Sequence, residues 1–496
     1  MKRFCKGLAP WSLAALALTT TSAAPALMAA PVVECRVPGI RNSVQCGAVQ
    51  RPLDPAHTDG TKIDIHYVVV PAMARRKLPD PVFILAGGPG QSAIGVAPQT
   101  IALFGRLNNR RDIVFVDQRG TGKSAPLECA DPRREPLAAQ ADPQRQFRQL
   151  MECQAALLKL PYIKAPADLG LFTTTLAMQD LDAVRRELGA PRINLVGVSY
   201  GTRAALEYQR QFPAAVRRSV LDAVAPSDMV LPASFSTDAQ AALDALLAAC
   251  DKEAACAHDH PALRAEWAAL LQRLPAPVTA AHPLTGVLER FALTREMVLG
   301  AVRGALYTPA VASALPTAIG EAARGRYEPL LGVSALLGSR KGIQLAAGMH
   351  FSVVCAEDVP RLALATDAPG ADFGNDQAAL YRRVCSQWPR GEVPEAFYTV
   401  APSGSPTLLF SGGLDPATPP RHGARVAKAL GPAAVHLVVP NAGHGVMAVG
   451  CARDVIFRFI DASNDADAIM VDAGCVKGIP RPPAFRPISD IAGVAQ

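Results

Sequence analysis

The sequence predicts an α/β fold in which a mostly parallel sheet is flanked by helices and interrupted by an inserted helical cap. Short, continuous apolar runs that end in loops are typical of strands buried on both faces. Helical stretches separate these runs, and from about 227 to 402 the pattern changes to Ala/Leu-rich helices broken by Pro and Gly. Half of the 496 residues are hydrophobic and 19% are charged, which is enough apolar material for a large interior.

The elements follow one another in a strand–helix alternation that indicates parallel pairing. We predict helices at 180–188 and 200–212. We predict strands at 61–70, 81–86, 111–116, 192–196, 219–222, 406–410 and 434–439. The resulting division is a signal peptide at 1–30, a first core part at 31–226, a helical cap at 227–402 and a second core part at 403–496.

The amino terminus has the three parts of a secretory signal. Lys2, Arg3 and Lys6 precede a mostly apolar run at 8–18, and small residues follow at 22–30. A membrane anchor is the alternative, but the apolar run is shorter than the ~20 residues that a spanning helix needs. We therefore expect export, to the periplasm or the medium, and no membrane span.

The charge pattern argues against a nucleic-acid partner. The formal net charge is +7, without a dense Lys/Arg block or a basic stripe with interleaved aromatics. We interpret this modest positive balance as a solvated surface.

The cysteines also indicate an oxidising compartment. Eleven are present, and ten remain once Cys5 leaves with the signal. Residues 250–260 contain two cysteines and two histidines, yet their spacing fits no usual zinc pattern, so a disulfide loop is favoured over a metal site. The simplest pairing in sequence order is Cys35/Cys46, Cys129/Cys153, Cys250/Cys256, Cys355/Cys385 and Cys451/Cys475.

A Gly-Val-Ser-Tyr-Gly pentad at 197–201 follows a predicted strand and opens a predicted helix. This is the context of a nucleophile elbow, in which the serine projects from a tight turn near the positive end of the helix. An ordinary glycine-rich turn is the alternative. We identify Ser199 as the candidate nucleophile.

The acid and the histidine of a catalytic triad should follow the serine in that order. His444 lies in a flexible loop after the strand at 434–439, and Asp415 follows the strand at 406–410. His422 competes with His444 but should begin a helix. Asp222 is the alternative orienting acid, although a local capping role suits it better.

An oxyanion requires two backbone N–H donors. Tyr200 directly follows the nucleophile, and the Gly-Gly-Pro-Gly loop at 87–90 follows an early strand. Gly88 is the second candidate donor, because Pro89 has no N–H. A plain tight turn is the alternative for this loop.

Taken together, these segments resemble the proline iminopeptidase/tripeptidyl aminopeptidase branch of the α/β hydrolases. The resemblance covers about 60–476, and one departure is Ala86, where proline iminopeptidases usually have His, which favours the secreted tripeptidyl-type relatives. The matching segments are 87–90 (GGPG), 112–122 (DIVFVDQRGTG), 197–201 (GVSYG), 352–358 (SVVCAED), 385–389 (CSQWP), 415–419 (DPATP) and 443–445 (GHG).

The resemblance implies the α/β-hydrolase fold and a serine exopeptidase that acts on peptides with a free amino terminus. It also implies carboxylates near the cap that bind the substrate ammonium, for which Glu357 is the first candidate and Asp358 the second. A structural partnership with an arginine is the alternative for Glu357. Acyl transfer by such a triad requires no metal or organic cofactor. An esterase or lipase on the same triad is the main rival function, followed by a non-catalytic binding protein.

Overall fold

The computed structural model describes residues 32–338 and 344–486, so the predicted signal peptide lies outside the described residues. Strands β1–β11 are, in chain order, Val33–Cys35, Val44–Pro52, Lys62–Val70, Val82–Leu85, Ile113–Val116, Ile193–Val198, Val216–Asp222, Ala276–Ala281, Leu288–Leu293, Thr407–Gly412 and Ala434–Val439.

The helices lie between and after these strands. Helices α1–α18 are Ala93–Thr100, Gly105–Asn108, Leu137–Gln140, Pro143–Leu157, Thr174–Glu187, Tyr200–Gln211, Ala233–Lys252, Ala254–Asp259, Leu263–Gln272, Arg295–Leu306, Pro309–Ala312, Leu315–Ala323, Glu328–Gly338, Ala347–Glu357, Asp376–Cys385, Pro420–Leu430, Ala452–Asp461 and Asp465–Ile469.

A single large sheet forms the centre of the protein, with strand order β1-β2-β3-β5-β4-β6-β7-β10-β11. The strands from β5 to β11 in this order are parallel, and β1, β2 and β3 extend one side as antiparallel neighbours. This confirms the predicted mostly parallel sheet. Strands β1 and β2 were not predicted, because they are only partly buried and lack a continuous apolar run.

Both faces of the sheet are covered, because alternate residues of each buried strand point to opposite sides. Phe83 and Leu85 of β4 belong to the hydrophobic cluster that includes α5 and α6. Val82 and Ile84 of the same strand belong to the cluster that includes α1 and α17. This two-sided burial explains why the strands appear in the sequence as continuous apolar runs.

The order β6-β7-β10-β11 places the carboxyl ends of four neighbouring parallel strands along one edge. Val198 at the end of β6 pairs with Asp222 at the end of β7, and Asp222 pairs with Phe410 of β10. The predicted nucleophile, acid and histidine follow β6, β10 and β11 respectively. Parallel pairing therefore brings three sequence-distant loops to the same edge.

The segment between β7 and β10 is mainly helical and contains the antiparallel hairpin β8–β9, which the sequence analysis did not anticipate. Helices α7 to α13 surround a separate hydrophobic cluster that includes Leu243, Trp267 and Val302. In contrast, Met349 and Phe351 of α14 and Tyr381 of α15 belong to a cluster of the main core. We retain the division at 226/227 and 402/403 as a proposal. Within the insertion, α13 is the last helix that contributes to the separate cluster.

The five predicted disulfides are confirmed. Each pair of Sγ atoms lies at bonding distance, and sequence separations range from 6 to 30 residues. Cys250 and Cys256 bond to each other, so these two cysteines are not available as metal ligands. In the ranges 32–338 and 344–486, none of the helices combines the length and apolar character needed to cross a membrane.

Candidate active site

Ser199 occupies a sharp turn between β6 and α6. Its backbone has φ 56° and ψ −124°, a conformation that residues with a Cβ rarely adopt. A Cβ at Gly197 would lie 2.6 Å from the carbonyl carbon of Gly201, so the turn closes only because this position has no side chain. The serine side chain is held above the sheet edge and remains partly exposed. This is the geometry that the pentad predicts for a nucleophile.

The structure brings Asp415 and His444 into direct contact. His444 Nδ1 lies 2.9 Å and 3.0 Å from the two carboxylate oxygens of Asp415. The backbone N–H groups of Ala417 and Thr418 donate to the same carboxylate at 2.8 and 2.9 Å, and the Thr418 hydroxyl donates at 2.7 Å. Asp415 is thus fixed by its own turn, and it faces one ring nitrogen of His444.

The electrostatics of this pair favour a charged imidazole. Burial lowers the pKa of His444, but attraction and hydrogen bonding to Asp415 outweigh burial, and the pKa is raised above its ordinary value. Burial acts in the opposite direction on Asp415, yet His444 and the N–H donors hold the pKa of that carboxyl below its ordinary value. The arrangement can therefore stabilise an imidazolium during proton transfer.

The cap contacts the histidine loop directly. The backbone N–H of His444 donates to the carbonyl of Tyr307 at 2.9 Å, and the two rings meet edge-to-face at 4.8 Å. A Cβ at Gly443 would lie 2.4 Å from the same carbonyl oxygen, which explains glycine before the histidine. Only 12% of the His444 side chain is exposed. Tyr307, the residue after α10, is thus part of the wall of the candidate active site. No sequence motif predicted this contact.

Asp222, the alternative orienting acid, joins the nucleophile to the histidine loop. Its carboxylate accepts from Val446 N–H at 2.8 Å and from Met447 N–H at 2.9 Å. Its backbone carbonyl accepts from Ser199 N–H at 2.9 Å. Burial raises the pKa of Asp222 to about 6, against the effect of these N–H donors. The ring of His444 is hydrogen-bonded to Asp415, and Asp222 holds the loop backbone that carries the ring.

His422, the competing base, has a different partner. It lies in the first turn of α16, and its Nε2 is 2.9 Å from Asp238 of α7, with both side chains buried. Arg421 donates to Asp238, and Arg425 contacts Nδ1 of His422. This histidine links α16 to the inserted segment.

The Gly-Gly-Pro-Gly loop passes directly beside the nucleophile. A Cβ at Gly87 would lie 3.2 Å from Ser199 Cβ. The Gly87 N–H donates to the side-chain oxygen of Gln91 at 3.2 Å, whereas Gly88 has φ +113° and turns the chain past the serine. Gly88 and Tyr200 remain the predicted oxyanion donors, since Gly87 already has an acceptor.

The segment that ends the insertion holds this loop in place. The Ala346 N–H donates to the carbonyl of Gly90 at 2.8 Å, and His350 Nδ1 lies 3.3 Å from the carbonyl of Pro89. His350 Nε2 in turn lies 2.8 Å from the Tyr381 hydroxyl. Burial lowers the pKa of His350 to about 4, which keeps this ring neutral at physiological pH. His350 and Tyr381 were not predicted, because neither belongs to a local motif.

Glu357 and Asp358, the predicted ammonium-binding residues, lie in a buried group with Arg203. Asp358 accepts two hydrogen bonds from the guanidinium at 2.9 and 3.0 Å, and Glu357 accepts a longer one at 3.4 Å. Glu357 also accepts from the N–H and hydroxyl of Thr174. Each carboxylate residue is about 1% exposed. In this arrangement both carboxylates balance an arginine and are covered by protein.

The charge state of Glu357 reflects this environment. Burial raises its pKa to about 7, Arg203 opposes the rise, and the neighbouring Asp358 adds to it. The Tyr200 hydroxyl is 2.7 Å from Thr174 Oγ1, so Glu357 lies two hydrogen bonds from the side chain that follows the nucleophile. Binding a substrate ammonium at either carboxylate would require an opening that this arrangement does not provide.

The part of the chain that the structure describes contains no candidate metal centre. No group of three or more His, Cys, Asp or Glu side chains is arranged to hold an ion.

Comparison with known proteins adds two family matches. The alpha/beta hydrolase family matches residues 82–300, which include Ser199, and a family described as TAP-like protein matches residues 370–467, which include Asp415 and His444. The two matches leave residues 301–369 of the inserted segment between them, and they cover strands β4–β7 and β10–β11 of the large sheet.

Individual relatives agree with this result. The chain is 32% identical over 189 residues to tripeptidyl aminopeptidase of Streptomyces lividans, covering 36% of this chain and 35% of that protein. It is 25% identical over 428 residues to serine protease Hip1 of Mycobacterium tuberculosis, covering 80% of each. It is also 27% identical over 190 residues to the putative hydrolase YuaR of Escherichia coli K12, covering 37% and 36%.

The aligned region spans about a third of the length of the aminopeptidase, whereas the match to the serine protease extends over most of both chains. The predicted resemblance to tripeptidyl-type relatives is confirmed. Together with the sheet order, these matches show that the chain has the α/β-hydrolase fold: residues 82–300 match the alpha/beta hydrolase family, and residues 370–467 match the family described as TAP-like protein.

Proposed function

We propose that this protein is an exported serine exopeptidase that removes residues or short peptides, with tripeptides as one candidate length, from free peptide amino termini. The observation that carries the proposal is the contact of His444 with Asp415 at the sheet edge where Ser199 occupies a strained turn. The similarity to a tripeptidyl aminopeptidase and a serine protease supports a peptide substrate.

The proposed reaction is acyl transfer. His444 Nε2 takes the proton of the Ser199 hydroxyl as the serine oxygen attacks the scissile carbonyl, and Asp415 holds Nδ1 and stabilises the imidazolium. The N–H groups of Tyr200 and Gly88 donate to the oxyanion. The imidazolium then protonates the leaving amine, and water, deprotonated by His444, releases the acyl group from Ser199. No step uses a metal or organic cofactor.

Recognition of the substrate ammonium is assigned to Glu357 and Asp358 as a prediction from family resemblance. The pairing of both carboxylates with Arg203 favours the alternative, a structural role. This specific observation keeps a second candidate function, a carboxylesterase, in consideration, since an esterase needs no ammonium site. The triad itself does not separate ester from amide substrates. A non-catalytic binding protein is the third alternative.

Export is proposed on the amino-terminal pattern and the cysteines. Each of the five disulfides lies within one part of the chain, two in the first core part, two in the insertion and one in the second core part, and such bonds persist in oxidising compartments. Amino-terminal sequencing of protein recovered from the periplasm or medium would test this proposal.

A matched panel of substrates tests the proposed activity. Free and N-blocked mono-, di- and tripeptide amide reporters are compared with a simple ester, using wild type and Ser199→Ala. We expect free-amine peptides to be cleaved at least tenfold faster than blocked ones, and Ser199→Ala to lose all turnover. Equal rates on free and blocked peptides would exclude the exopeptidase, and cleavage of esters alone would establish the second candidate. Failure of a fluorophosphonate to label Ser199 in folded protein would support the binding protein.

A further inference from the structure

Arg303 in the last turn of α10 carries a positive charge in the wall of the active site. Its Nη2 donates to the Tyr307 hydroxyl at 3.0 Å, and its guanidinium lies 4.3 Å from the ring centroid of Phe235. The side chain is partly buried, and its Nε–H is buried without an acceptor among the described residues. The guanidinium also lies 5.5 Å from the ring centroid of Tyr307, so its contacts among the described residues are one hydroxyl and two aromatic rings.

Three other arginines of the insertion are paired with acids. Arg295 pairs with Asp372, while Arg324 and Arg326 pair with Glu321. Over residues 32–338 and 344–486, no carboxylate lies within 4.0 Å of Arg303. A guanidinium has five N–H donors in a fork that matches a carboxylate, and holding it partly buried without a counter-charge costs free energy.

Arg303 is connected to residues around His444 and, through a longer chain of contacts, to residues around the Gly-Gly-Pro-Gly loop. Tyr307, its hydrogen-bond partner, contacts the ring of His444. Burial raises the pKa of Tyr307 and of Tyr381, and the positive charge of Arg303 opposes both rises, so Tyr381 is also within its electrostatic reach. Tyr381 is hydrogen-bonded to His350, which contacts the carbonyl of Pro89 in the oxyanion loop. Arg303 is thus linked through Tyr307 to the candidate base, and its charge acts on Tyr381, which is connected through His350 to the Gly-Gly-Pro-Gly loop.

A cation at this place is unfavourable for the free enzyme. It adds to the effect of burial in lowering the pKa of His444, against Asp415. A negative group that arrives with the substrate and leaves with a product would neutralise Arg303 during the reaction only. In this view the substrate supplies the negative group that pairs with Arg303. A carboxylate suits this role, because it can accept two parallel hydrogen bonds from a guanidinium.

We propose that Arg303 binds a carboxylate of the substrate, and that the enzyme favours short peptides with a negative group next to the scissile bond. The carboxylate is either the carboxyl terminus of a short peptide or an acidic side chain beside the cleaved bond. This inference rests on the proposed function, because it specifies the substrate class of the same site.

The test compares matched peptides that differ only in this charge. Free-amine peptides are prepared with a carboxyl-terminal carboxylate or amide, and with Glu or Gln on either side of the scissile bond. We expect kcat/KM of wild type to be about 10- to 100-fold higher for the carboxylate form in one of these pairs, as for other charge-assisted contacts. The pair that shows the preference identifies the source of the carboxylate.

Variants of two arginines then assign the preference. Arg303→Gln should reduce the carboxylate-to-neutral ratio to near one, and Arg303→Lys should leave an intermediate ratio, because an ammonium lacks the bidentate fork. Arg290→Gln is the matched control: Arg290 is exposed on β9, and its removal changes the net charge equally. This control should keep the wild-type ratio.

The outcomes separate this inference from the proposed function. Equal rates of wild type on both members of every pair, or an unchanged ratio in Arg303→Gln, would overturn the role of Arg303 while peptide cleavage stands. If only esters are cleaved, the proposed function fails, and the same ratio is measured with a dicarboxylic acid monoester and its neutral amide. If Arg303→Gln does not fold, inhibition of wild type by carboxylate and amide forms of the released peptide gives the ratio, and equal inhibition overturns the proposal.

Discussion

Two arginines near the candidate active site, Arg203 and Arg303, differ in what surrounds their charge. Arg203 of α6 is fully buried and donates to Asp358 twice and to the carbonyl of Met229 at 3.0 Å. Arg303 of α10 has the Tyr307 hydroxyl and the face of Phe235. In both arginines the Nε–H lacks an acceptor among the described residues. The difference lies in the carboxylates: Arg203 forms ion pairs with two, and Arg303 forms an ion pair with none in the described chain.

The difference indicates two uses of buried charge in one fold. Where the chain supplies the counter-charge, removing one partner leaves another charge stranded, and stability is lost. Where the chain omits it beside the reaction centre, the charge is expected to act on substrate. Asp415 is assigned a functional role for a different reason: it has a partner in the chain, His444, and that partner changes protonation in the proposed reaction.

The largest expected effect is on the catalytic pair. Asp415→Asn should lower kcat/KM by about 10⁴-fold, because the amide stabilises neither the required tautomer of His444 nor its charged form. Without Asp415 the pKa of His444 falls, so the acid limb of the pH–activity profile should move to lower pH. Steady-state kinetics from pH 4 to 9 check both effects, with the surface variant Asp454→Asn as the control. If Asp415→Asn instead unfolds the protein, the separation of functional from structural charge is wrong.

The residues around Ser199 also differ in how far the sequence predicted them. Ser199, Asp415 and His444 were predicted because each follows a recognisable apolar strand, and the order of parallel strands then brings their loops together. Arg303 and His350 were not predicted. Both lie in helices of the insertion, where Ala/Leu-rich patterns specify helix but not the way the helices pack over the sheet.

The region around Glu357 shows a second limit. The motif at 352–358 predicted an acidic pair with a substrate role, and an arginine partner was the alternative. Arg203 is 154 residues away from Glu357 in the chain, and it lies in the helix that the nucleophile begins. No local pattern connects these positions, so only the tertiary structure reveals the contact between the guanidinium and the two carboxylates.

The next effect concerns stability. Arg203→Met should lower the free energy of unfolding by about 3–5 kcal/mol, because it leaves Glu357 and Asp358 buried without a cation. Arg106→Met is the matched control, since Arg106 is 57% exposed and pairs with Asp454 at the surface, where such pairs contribute about 0–1 kcal/mol. Denaturant unfolding measures both variants.

A double variant sharpens this test. Arg203→Met with Asp358→Asn should recover part of the lost stability, because it removes one of the two stranded charges. Kinetics of the single variant, corrected for the folded fraction, also address the predicted ammonium site. A selective rise in KM for free-amine peptides would support a substrate role for Glu357, whereas an unchanged KM would support the structural role.

The smallest expected effect concerns Asp222, which is buried beside His444. Among the described residues its carboxylate accepts from loop N–H groups, so it has neither the arginine partner of Asp358 nor the histidine partner of Asp415. Burial raises its pKa to about 6, so the folded protein binds this proton more tightly than the unfolded chain does. The contribution of Asp222 to stability therefore falls as the pH rises from about 4 through about 6. Asn does not titrate, so the stability of wild type relative to Asp222→Asn should decrease by up to about 3 kcal/mol between pH 4 and 7. Urea unfolding at a series of pH values measures this difference, and Asp454→Asn should show no such trend. A pH-independent difference would mean that Asp222 stays ionised throughout, and His444 would then have two negative neighbours even in acid.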